Sequence, residues 1–112
     1  MADESHLPPP FDQQIADEYL GKYILLGLTY LDHEGREVRR LQLHGIVEYA
    51  TPDGIVVSLR GRHDGESWNM PPDLGAISRA DPGIYTLHST GERLENPDLL
   101  ASWTIRSPPP KH

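Results

Sequence analysis

At 112 residues the chain has room for one domain and one hydrophobic core. Its 17 acidic against 10 basic side chains leave a net charge of −7, which argues against broad binding to a phosphate backbone, where Lys and Arg must neutralise the charge. The absence of cysteine excludes disulfides, thiolate metal sites and a cysteine nucleophile, and no apolar run nears the ~20 residues that span a bilayer.

Residues 1–10 and 107–112 are polar or proline-rich, with Leu7-Pro8-Pro9-Pro10 near one end and Ser107-Pro108-Pro109-Pro110 near the other. They are expected to be disordered tails around a single domain at 11–106. Asp3 and Glu4 stand where a secretory leader carries basic residues, so a cytoplasmic location is expected.

Residues 11–20 read as a short helix. Asp12 is an N-cap, Gly21 a stop, and Phe11, Ile15, Ala16, Tyr19 and Leu20 form an apolar stripe. From Lys22 the period becomes that of strands. Tyr23–Leu31 is a dense apolar run, Glu37–Ala50 a long second strand, and Ile55–Arg62 a third. Shorter strands are expected at Ser67–Met70, Ile84–Ser89 and Ala101–Ile105. Residues 71–83 hold three prolines and two glycines and read as a loop, with a helical turn at Asp73–Ile77.

The hairpin between the second and third strands can be given a register. A three-residue loop, Pro52-Asp53-Gly54, pairs Tyr49 with Val57, Val47 with Leu59 and Gly45 with Gly61, which keeps the large apolar partners on one face. Two facing glycines let a sheet bend sharply, which favours closure. The fold expected is mainly β, a small, partly open barrel of five or six antiparallel strands with one N-terminal α-helix.

Gly21-Lys22-Tyr23, Leu43-His44-Gly45-Ile46-Val47, Trp68-Asn69-Met70-Pro71-Pro72-Asp73-Leu74, Pro82-Gly83-Ile84-Tyr85 and Asn96-Pro97-Asp98 follow one another before Trp103. In this layout the stretch from about 21 to 105 resembles a group of small bacterial proteins with no activity attached. The strand order resembles SH3-like and Sm-like barrels. That resemblance implies an architecture and no chemistry, because such folds host unrelated functions.

Three groups of residues invite a functional reading. Arg39, Arg60 and Arg62, with Arg40 placed opposite Glu66, form an outward basic stripe beside Trp68. Trp68 and Met70 begin a lip that runs to Leu74. Together they suit a non-enzymatic binding or adaptor domain that presents its surface to a protein partner. The same stripe with an aromatic platform is the pattern of a single-stranded nucleic-acid module, against which the acidic total weighs. The plain account is cross-strand charge pairing, with Trp68 and Trp103 in the core. His63, Asp64 and Glu66 are the second group, a loose set that a metal-dependent hydrolase would use. The zinc spacings H-x-x-x-H and H-E-x-x-H are missing, so a polar turn around Gly65 is the simpler account. His44 and His88 lie inside expected strands, and either would be a general base beside a carboxylate. No G-x-S-x-G elbow frames Ser58, Ser89 or Ser102 as a nucleophile. No cofactor and no metal are expected.

Overall fold

The computed structural model describes residues 11–108, so most of the two expected tails, 1–10 and 109–112, lies outside the described residues. The first element is the short helix α1, Gln13–Tyr19. Asp12 in extended backbone caps it, its carboxylate accepting from the amides of Gln14 and Ile15 at 3.0 and 3.2 Å. Gly21, at φ +76°, turns the chain out of the helix. Ala16 is fully buried and Phe11 and Tyr19 pack beside it, whereas Ile15 and Leu20 are 40% and 42% exposed. A helix this short has no stability of its own. It is held by burial of Ala16 and by the Gln13 amide, which donates to the Ala50 carbonyl at 2.9 Å.

Eight strands follow: β1 Tyr23–Leu31, β2 Glu37–Thr51, β3 Gly54–Leu59, β4 Ser67–Met70, β5 Ile77–Arg79, β6 Ile84–Thr86, β7 Arg93–Glu95 and β8 Leu99–Arg106. Six of them make one sheet in the order β4-β3-β2-β1-β8-β5, and β6 and β7 pair as a separate hairpin. The expectation of a mainly β domain with one N-terminal helix is met. The sheet is open and mixed where an antiparallel barrel was expected. β4 and β5 are its edges, and β8 runs parallel to β1 from Ile24↔Leu99 to Leu31↔Arg106. Among the described residues no helix is long and apolar enough to cross a membrane.

The second hairpin also differs from the expected register. Thr51 pairs with Gly54, so only Pro52 and Asp53 form the loop, and Tyr49 pairs with Val56. A bulge at Glu48 then restores Val47 to Val57. The extra residue keeps apolar side chains on one face, which a three-residue loop was expected to do. Tyr49 is left outside, 59% exposed. Gly45 therefore faces Leu59 rather than Gly61, and Gly61 opens a 3-10 turn, Gly61–His63.

Strand alternation sends Ile24, Leu26 and Leu28 of β1 to one face and Tyr23, Leu25, Gly27 and Thr29 to the other. The first face carries the main core, with Leu43, Val47, Ile55, Val57, Met70 and the helix residue Ala16. Leu74, in the 3-10 turn Leu74–Ala76, packs on the same core as the chain passes from β4 to β5. The second face carries a smaller cluster in which Leu87 and Leu94 from the β6–β7 hairpin cover Leu25, flanked by Tyr23, Tyr85 and Leu100. This explains why β1 is apolar on both sides. Gly83 and Asn96 lock the base of the hairpin, each donating an amide to the other residue at 2.7–2.8 Å.

Candidate functional site

The second face of the sheet changes character row by row. By the register of β8, β1 and β2, Leu100, Leu25 and His44 lie side by side, then Ser102, Gly27 and Gln42, then Thr104, Thr29 and Arg40. The hairpin covers the apolar row and stops. The two polar rows lie in an open groove of about 540 Å³, walled on one side by His88 and Ser89 from the segment joining β6 to β7. The amide of His88 donates to Gln42 Oε1 at 2.6 Å, which fixes that wall to the floor. Gly27 keeps the floor low, since a Cβ there would lie 3.6 Å from Ser102 Oγ.

Beside the groove, under the same segment, three side chains form a chain of hydrogen bonds. The Tyr23 hydroxyl lies 2.5 Å from His44 Nδ1, and His44 Nε2 lies 3.0 Å from Glu92 Oε2. The Tyr23 and His44 rings are parallel to within 2°, their centroids 5.7 Å apart. His44 is buried, at 6% exposure, and a histidine in that position must have both ring nitrogens satisfied. Burial pushes the Tyr23 phenol above its ordinary range, helped by the Glu92 charge and opposed by Arg60. The hydrogen bond from His44 holds the Glu92 carboxyl below its ordinary range against the opposing effect of burial; the Thr90 hydroxyl, the His44 charge and the Arg62 backbone amide add to the lowering. A carboxylate only accepts, so the imidazole carries a proton on Nε2 facing Glu92, while Nδ1 and the Tyr23 hydroxyl share the other hydrogen bond.

The connecting segment is closed on itself as well. The Leu87 amide donates to the Glu92 carbonyl at 2.8 Å, the Gly91 amide to the Leu87 carbonyl at 2.7 Å, and the Glu92 amide to Thr90 Oγ1 at 3.1 Å. Gly61 closes the assembly from the other side. A Cβ at that position would lie 2.1 Å from Glu92 Oε2 and 2.6 Å from His44 Nε2. The result is a clamp that holds the groove wall on the sheet.

The clamp has a pH signature. The folded Glu92 carboxyl titrates below its ordinary value of 4.5, so its contribution is complete above that pH and is lost as pH falls through the folded value. Urea midpoints should therefore fall as the solution is acidified below about pH 4.5, and Glu92→Gln should flatten that part of the profile. An identical acid slope in both proteins would contradict the assignment.

The residues singled out from sequence are dispersed. Arg39 lies over the Tyr30 ring at 4.9 Å, on the main-core side of the sheet by strand alternation. Arg60 sits beyond β3, its guanidinium bonded to Ser58 Oγ at 2.9 Å and to the carbonyls of Ser58 and Leu59. Arg62 is exposed in the 3-10 turn, and its backbone amide serves Glu92. Arg40 bonds Glu37 at 2.8 Å rather than Glu66. No single basic stripe results. Trp68 is half-buried opposite Val57 and Met70 is only 2% exposed, both against the main core, so neither stands out as a lip. His63 pairs with Glu66 at 3.2 Å, and among the described residues no three His, Asp or Glu side chains are placed to hold a metal ion.

Nothing in the sequence pairs Tyr23 or Glu92 with His44: Tyr23 opens a strand, and Glu92 lies between the strands expected at Ile84–Ser89 and Ala101–Ile105. The usable signals were a histidine in the interior of a strand, which needs partners, and the glycine at 61. Comparison of the chain with family models, with curated proteins and with solved structures found no match.

Proposed function

We propose that this is a non-enzymatic binding domain whose working surface is the groove on the second face of the sheet. The observation that carries the reading is the groove floor. Across the three neighbouring strands β8, β1 and β2, large apolar side chains give way to Ser102, Gly27, Gln42, Thr104 and Thr29. A central strand pair ordinarily buries such a surface or covers it with large side chains. Here it stays open at a volume typical of small-molecule sites, about 300–1,000 Å³.

The Tyr23–His44–Glu92 chain supports a structural rather than a catalytic role for the histidine. Both of its ring nitrogens are engaged internally and Gly61 closes over it, so it has no nitrogen free to take a proton from a ligand. The dispersal of Arg39, Arg60 and Arg62 over different parts of the sheet moves the reading away from a flat basic docking surface and toward the groove.

The test is an amide NMR screen of the full chain against a panel of small polar compounds: amino acids, hydroxy acids, sugars and nucleosides. Shifts are expected to cluster on Gly27, Gln42, His88, Ser102 and Thr104. They should vanish in Gly27→Leu, whose side chain would occupy the groove while the backbone at 27 accepts a Cβ without clash. Shifts confined to β3 and β4, or unchanged binding by Gly27→Leu, would overturn the proposal.

A further inference from the structure

Resting on that reading, we infer that the groove takes a small polyhydroxylated ligand bearing one oxyanion, its charged end against Arg40 and its hydroxyls along Thr29, Ser102 and Thr104. The charge follows from the lining. The protein is strongly acidic overall, at −7, yet among the described residues no Asp or Glu lines the groove, and Arg40 and His88 do. Arg40 uses Nε for Glu37, and among the described residues its two Nη groups make no hydrogen bond. A guanidinium with that edge free is suited to a carboxylate or a phosphate. Glu37 removes part of the net charge and holds the arginine in place, so the groove selects a single anionic group rather than a polyanion.

The body of the ligand follows from the floor. Thr29 on β1 stands beside Thr104 on β8 at the strand spacing of about 4.8 Å, and Ser102 follows two residues back along β8. Alternate hydroxyls of a short polyol can bridge them. Trp103 borders the groove but packs against the main core, which leaves, among the described residues, only the His88 ring for a nucleobase or other flat ring to stack on. The absence of a carboxylate from the lining among the described residues likewise disfavours an ammonium ligand or a metal ion.

Gluconate, glucose 6-phosphate and glucose are matched probes: two hydroxylated anions that differ in the oxyanion, and one neutral analogue. Amide shifts of the full chain at Gly27, Gln42, His88 and Ser102 are the readout. The inference expects saturable shifts with at least one anion, with Kd on the order of 1 mM for a ligand of this size. Glucose should bind about 10-fold more weakly or not at all. Arg40→Gln should bring the anion down to the glucose level, and 0.5 M salt should weaken it in the wild type. Which anion responds distinguishes carboxylate from phosphate. Equal responses to all three probes, or an anion response untouched by Arg40→Gln, would overturn the charged-head inference while leaving the groove as a site. No groove shift with any of the three overturns the inference. If the wider panel also leaves the groove silent, the proposed function falls with it.

Discussion

Replacing Gly45 with alanine is expected to cost about 3–4 kcal/mol of folding stability, at the upper end of what added core volume does. The reason is what the new Cβ would meet. It would lie 2.1 Å from the carbonyl oxygen of Ser58, 2.8 Å from the carbonyl carbon and 2.9 Å from Leu59 Cα. All three are backbone atoms of β3, and none can rotate aside. The strand itself must move, parting the ladder at Gly45↔Leu59 and loosening Val57 and Leu59 from the core. Gly27→Ala, on the neighbouring strand, is the internal control, because its Cβ would make an ordinary contact at 3.6 Å. Urea unfolding compares them. A Gly45→Ala protein within about 0.5 kcal/mol of wild type, as for an ordinary surface change, would mean that β2 and β3 are not this close.

Gly61→Ala should cost about 2–5 kcal/mol by a different route, and its effect should be local. The backbone at 61 has φ +69°, a region that costs a residue with a Cβ roughly 1–2 kcal/mol. The new methyl would also lie 2.1 Å from Glu92 Oε2 and 2.6 Å from His44 Nε2. Glu92 sits at the end of a flexible side chain and can swing away. His44 is buried and tied to Tyr23, and cannot. Its Nε2–H then loses its acceptor, which costs a further ~1–3 kcal/mol. Amide exchange at Leu87 and Gly91 should therefore accelerate more than exchange in the β1–β2 ladder. Glu92→Gln should reproduce part of this loosening without the backbone strain. Uniform acceleration across the sheet would show that Gly61 supports the whole fold rather than the groove wall.

The parts of the fold that depend on neighbours in sequence were legible. Asp12 and Gly21 bracket α1 because capping and a left-handed exit are local chemistry. Tyr23–Leu31 and Ser67–Met70 emerged with their observed bounds, and the 3-10 turn at Leu74–Ala76 falls within the helical turn expected at Asp73–Ile77. Ile77–Arg79 and Arg93–Glu95 did not emerge, since three residues are too few to display a period. The register beyond the Pro52-Asp53 turn was misread because a bulge at Glu48 and a longer loop answer the same packing demand. The parallel pairing of β1 with β8 joins segments at opposite ends of the domain, and no local signal announces it.

The candidate site was harder for the same reason. His44 and Gly61 drew notice from sequence, one as a strand-interior histidine and the other as half of a glycine pair. Their actual relation runs through Glu92, 48 residues beyond His44 and past the end of the strand expected at Ile84–Ser89. The groove is composed of glycine, serine, threonine and glutamine, residues that look like ordinary solvated strand positions until three strands place them side by side.

The most direct test is the imidazole of His44, read by nitrogen-15 NMR at neutral pH. The structure requires a proton on Nε2 bonded to Glu92, slow exchange of that Nε2–H, and cross-relaxation from it to the Gly61 α-protons. A ring protonated on Nδ1 alone, or one averaging freely between tautomers with a rapidly exchanging proton, would mean that the clamp does not form, and the groove wall it holds would lose its physical basis.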